Sequence, residues 1–121
     1  MLYTLPASPA KPDGEPHAAY ATPAHAFFTA FREGTAGVRF GFLAQDEGEL
    51  ARVAAAFRSA GARTETWCRE RLGWTSQAGR ELAQAFALAA GGWLLQGGAD
   101  MDVLQRELGL AWRAFGESHL H

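Results

Sequence analysis

The sequence has no isoleucine and no asparagine, and Lys11 is its only lysine. All three amino acids use AT-rich codons, so the gap reads as genome composition rather than chemistry. Cysteine is almost as scarce. Cys68 stands alone, which excludes an intrachain disulfide and fits a reducing compartment. Proline is missing after position 23. No apolar run reaches the ~18 residues that a membrane span needs, because Gln84 interrupts the longest one. Residues 1–10 lack the basic and apolar regions of a secretory signal. The expected setting is therefore the cytoplasm, with no membrane attachment. An excess of basic charge is missing too. The formal net charge is −2, which weighs against a nucleic-acid binder without excluding a local basic patch.

What is present describes an ordinary globular chain. It has 121 residues, 48% hydrophobic and 20% charged, a size and composition typical of one domain. Such a chain buries roughly two-thirds of the surface its unfolded form exposes, so it folds without staples. Pro6, Pro9, Pro12 and Pro16 fix φ and remove backbone donors, so residues 1–21 read as a proline-rich arm. Within the arm, 2–5 is a candidate edge strand. Residues 22–121 read as a single globular α+β domain.

Thr22 and Pro23 suit the N-cap and first position of a helix over 23–33, ended at Gly34. Residues 37–44 alternate Val38, Phe40, Phe42 and Ala44 with Arg39, Gly41 and Leu43, which predicts a strand. Asp46 and Glu49 resemble a capping box for a helix over 47–60, with Gly61 as its stop. Residues 62–69 alternate again, with Thr64, Thr66 and Cys68 on one face, and predict a second strand. Strand, helix and strand in about thirty residues is the size of a βαβ unit. Leu82, Phe86, Ala89 and Trp93 predict a helix over 76–96 in which Gly91 and Gly92 mark a bend, a close contact or an end. Met101, Leu104, Leu108, Trp112 and Phe115 predict a last helix over 101–115, capped by Asp100 or Asp102. The expectation is a small sheet packed by four helices.

The chemistry-bearing residues form no recognised motif. His17, His25, His119 and His121 have no metal-ligand spacing, and no glycine-rich loop follows a strand. No metal and no cofactor is expected. Cys68 has Arg69 and Arg71 nearby but no histidine close in sequence, so a buried small hydrophobe is the simpler reading. The most suggestive stretch is 64–80. Trp67, Arg69, Arg71, Trp74 and Arg80 combine arginine with aromatics, a composition favoured in protein–protein hot spots and on stacked nucleic-acid surfaces. The same arginines could instead pair with Glu65, Glu70 and Glu81. A helix-turn-helix reading of 102–115 puts its turn at Gly109 and leaves only Arg113 for DNA.

Residues 94–111 distantly resemble the late helices of tyrosine recombinases. No tyrosine follows them, and Leu110 stands where that family has a histidine, so the resemblance implies a non-catalytic relic at most. Residues 39–62 resemble half-modules of the glyoxalase-like superfamily but carry no metal ligands. Neither likeness assigns a family. The leading expectation is a non-enzymatic binding or regulatory protein, of inhibitor, immunity or accessory-subunit type, with a protein partner. Four tryptophans and eight phenylalanines look like more than one small core hides, which suggests a homodimer through the C-terminal helices. A DNA-binding regulator is the alternative, and a ligand-binding or enzymatic fold whose site converges only in space is the third.

Overall fold

The structure, a computed structural model, describes residues 21–98 and 100–119. They form four α-helices and one 3-10 segment. The expected α+β architecture is wrong: no strand occurs among the described residues. The candidate edge strand at 2–5 lies outside them.

Helix α1 spans Pro23–Gly34, α2 Glu47–Leu72, α3 Ser76–Leu95 and α4 Met101–His119. Each start has a physical cause. The Thr22 hydroxyl accepts from His25 N–H at 3.1 Å, with Pro23 just inside the helix. The Asp46 carboxylate accepts from Glu49 N–H at 3.1 Å. Thr75 accepts from Ala78 N–H at 3.1 Å. Asp100 accepts through its backbone from Val103 and Leu104, and through its side chain from Asp102. Each cap satisfies amide donors that the first helical turn leaves open.

Both expected strands are absorbed. Residues 37–44 form a turn followed by the 3-10 segment Phe40–Gln45. Phe40 packs edge-on against Trp93, with ring centroids 5.1 Å apart. Residues 62–69 belong to α2, which runs through Gly61 for 26 residues, about 39 Å, and so no βαβ unit exists. In that helix Ala60, Thr64 and Cys68 recur every fourth residue on the buried side. The buried Thr64 hydroxyl donates to Ala60 O at 2.9 Å, one turn back. The real stop is Gly73, whose φ of 70° suits glycine.

Short connections make α2, α3 and α4 antiparallel neighbours, and α1 closes the ring by packing on α2 and α4. Phe27, Phe31, Phe57 and Phe86 form the middle of the core, with Phe31 and Phe57 centroids 5.0 Å apart and Phe27 and Phe86 5.5 Å apart. Leu82, Leu104 and Leu108 are fully buried around them. Gly91 and Gly92 neither end nor interrupt α3, and Gly109 lies inside α4.

Two glycines should respond oppositely to the same change. A Cβ on Gly34 would lie 2.7 Å from Ala56 Cβ and 3.2 Å from Ala56 Cα, where no flexible side chain can yield. Gly34→Ala should therefore destabilise by about 1–3 kcal/mol. A Cβ on Gly109 meets nothing within 4 Å, so Gly109→Ala should stabilise by up to about 1 kcal/mol. Urea unfolding of both variants checks the two signs.

Candidate functional site

The residues expected to bind a partner separate into two places. Trp67 sits in the last turns of α2 and is buried, only 6% exposed. Arg71, one turn on, lies over it with its guanidinium carbon 5.6 Å from the ring centroid, within cation–π range. Trp74, in the α2–α3 connection, is half-buried and packs on Trp112 at 6.2 Å and Phe115 at 5.9 Å. Trp67 and Trp74 therefore help close one end of the bundle. Arg69 is exposed at that end, and its carbonyl accepts from Gly73 N–H at 3.2 Å in the turn.

Arg80 lies elsewhere, on the outer side of α3. Its guanidinium is 3.6 Å from the Glu65 carboxylate on α2. Together they line an open groove of about 600 Å3 between α2 and α3, with Arg58, Gln77 and Glu81. The groove mixes both signs of charge, and an exposed pair of this kind adds little stability.

No cluster of three or more histidine, cysteine, aspartate or glutamate side chains among the described residues could hold a metal. Cys68 is fully buried, and burial pushes its thiol from an ordinary 9.0 up to about 12. A thiol that stays protonated near neutrality is a poor nucleophile. As the unbroken apolar face across Gly109 indicates, α4 is one continuous helix, so the alternative helix-turn-helix reading of 102–115 has no turn at Gly109.

The expected aromatic surplus is absorbed inside the molecule. Among the described aromatic side chains, Phe27, Phe28, Phe31, Phe86, Phe115, Trp67 and Trp93 are buried, and Phe40, Phe57, Trp74 and Trp112 are half-buried. Among the described residues the large exposed apolar side chains are Leu50, Leu88, Leu95 and Leu110. Leu88 is 78% exposed and Leu95 90% exposed. Both project from the side of α3 opposite Leu82, Phe86 and Trp93, since seven residues return almost to the same direction on a helix. Gly91 and Gly92 flank the line between them. Sequence reasoning missed this face because it sought aromatics and arginines. The signal was available: with Leu82, Phe86 and Trp93 assigned inward, Leu88 and Leu95 must point outward.

Trp74→Ala should cost about 2–4 kcal/mol through the cavity left against Trp112 and Phe115, whereas Arg80→Ala should cost under about 0.5 kcal/mol; thermal unfolding distinguishes them. Native Cys68 should resist aromatic disulfide reagents at pH 8 and react at once in denaturant. Its folded thiol ionises later than the unfolded one, so its contribution to stability is intact below pH 9.0 and declines as pH rises toward about 12. Urea midpoints of the wild type and Cys68→Ala should converge over that window.

No protein-family model matches this chain, and no curated protein or solved structure shows significant similarity to it.

Proposed function

We propose that this chain is a non-enzymatic cytoplasmic binding protein, of inhibitor, immunity or accessory-subunit type, and that its recognition surface is the outer face of α3. The observation that carries this reading is the exposure of Leu88 and Leu95, 78% and 90%, on a helix whose other face already fills the core. Exposed apolar residues grouped on one face mark contact surfaces more often than isolated ones do.

Two further features support it. Asp46 and Asp100 serve as helix caps, and Arg39 with Glu49 and Arg80 with Glu65 pair across the surface. Cys68, the one nucleophilic thiol, is sealed in the core. No helix among the described residues is long and apolar enough to cross a membrane. The cytoplasmic setting is supported by the lone buried thiol, which a reducing compartment suits.

Affinity capture from the source organism tests the reading, with wild-type protein beside Leu88→Glu/Leu95→Glu. The double variant should keep its helical circular dichroism and lose the proteins retained by the wild type. Arg69→Ala/Arg71→Ala should keep them. Undiminished retention by the leucine double variant would overturn the assignment of α3.

A further inference from the structure

We propose that the outer side of α4 holds a binding site for a small phosphate monoester with a flat apolar body, gripped by Arg106 and Arg113. The site is separate from the outer face of α3 and does not depend on it.

A cavity of about 530 Å3 opens there, lined by Thr22, Arg106, Gly109, Leu110, Trp112 and Arg113. That volume is in the range of small-molecule sites. Seven residues separate the two arginines, so they leave α4 in nearly the same direction, about 10 Å apart along its axis. Gly109 and Leu110 lie between them. Two long side chains at that spacing can close on one anion from either side.

The lining carries positive groups and no acid. Among the described residues neither arginine has an ion-pair partner. Asp102 and Glu117, four residues outside them on α4, do not line the cavity. Several other arginines are committed: Arg39 to Glu49, Arg80 to Glu65, and Arg32 and Arg71 to aromatic rings. The α2–α3 groove sets Glu65 and Glu81 beside its arginines and so neutralises itself. In a chain of net charge −2, two guanidinium groups sharing an acid-free cavity are a local reversal of sign.

The rest of the lining sets the shape of the ligand. Nothing lies within 4 Å of where a Cβ on Gly109 would stand, so a bound group can come close to the helix backbone there. Leu110 is 48% exposed. Trp112 is half-buried, with its ring packed on Trp74 at 6.2 Å. These two side chains offer an apolar wall to a ring. A phosphate monoester carries about 1.5–2 negative charges near neutrality. That charge matches two guanidinium forks, each suited to bidentate contact with phosphate. A carboxylate brings only one charge.

Phenyl phosphate is the probe, titrated at low ionic strength into the full 15N-labelled chain. Saturable shifts should centre on Gly109, Leu110 and the Trp112 indole N–H, with a Kd of about 1 mM. Benzoate should bind at least about fivefold more weakly, and phenol should not bind. Arg106→Ala and Arg113→Ala should each weaken phenyl phosphate at least about tenfold. Arg58→Ala/Arg63→Ala removes the same charge as both together, but from α2, and should leave the Kd within about twofold. Gly109→Leu places its side chain in open space, so it should keep the helical circular dichroism and abolish binding. No saturable shift, equal weakening by Arg58→Ala/Arg63→Ala, or benzoate binding as tightly as phenyl phosphate overturns the site. Leu88→Glu/Leu95→Glu should still bind the probe, so this site and the proposed recognition face fail or stand separately.

Discussion

The bundle depends on the slenderness of one helix. Along most of its inward line α2 presents small side chains, Val53, Ala56, Ala60, Thr64 and Cys68, with Trp67 near its end the one buried aromatic. Small side chains there let neighbouring backbones come close. Gly34 at the end of α1 has room for no Cβ against Ala56, and a Cβ on Gly79 of α3 would lie 3.1 Å from Glu65 Cα. The volume that α2 leaves unfilled is taken by Phe27 and Phe31 from α1 and Phe86 from α3. Phe57, from a half-buried position on α2, meets the two α1 rings edge-on. Interiors pack to crystal-like density, so large residues on one element require small ones opposite. The buried Thr64 hydroxyl donates to its own helix at Ala60 O, and Cys68 is removed from water.

Helix beginnings were legible in the sequence because caps are local chemistry. Thr22 with Pro23, and Asp46 with Glu49, meet in space as their spacing indicates. The apolar stripe of α4 was legible for the same reason. Ends were harder. Gly61, Gly91, Gly92 and Gly109 resemble Gly73 in sequence, but only Gly73 among these five has a positive φ. The difference lies in the residues downstream of each glycine. After Gly73 come Thr75 and Ser76, and Thr75 caps the next helix. After Gly61 comes Thr64, whose hydroxyl donates back to Ala60 O within the continuing helix rather than capping a new one. A stop with no start behind it is weak punctuation.

The strand reading of 62–69 failed for a related reason. Thr64, Thr66 and Cys68 alternate, yet Ala60, Thr64, Trp67 and Cys68 also fit a helix, and short segments satisfy both periods. Tertiary packing decided between them, since Ala60 and Thr64 are fully buried only if α2 continues. That error propagated to the candidate site. On a strand Trp67 and Arg69 share a face. On a helix Trp67 turns inward with Thr64 while Arg69 faces water. Trp74 and Arg71 were placed near Trp67 in either reading, but as part of the packing at one end of the bundle rather than as a free aromatic surface.

Helix α3 then stands out as the element whose two faces follow different rules. Its inner face carries Leu82, Phe86, Ala90 and Trp93, and Trp93 is further held by its indole N–H donating to Asp100 O at 2.9 Å. Those contacts keep the helix intact across two adjacent glycines that intrinsic propensity would disfavour. Its outer face gains nothing from the core, and there the glycines sit between Leu88 and Leu95. The helix therefore tolerates the two glycines through its inner contacts, while Leu88 and Leu95 stand exposed on the other side. The exposed leucines are the feature on which the proposed recognition surface rests; at the other end of the bundle Trp74 packs on Trp112 and Phe115.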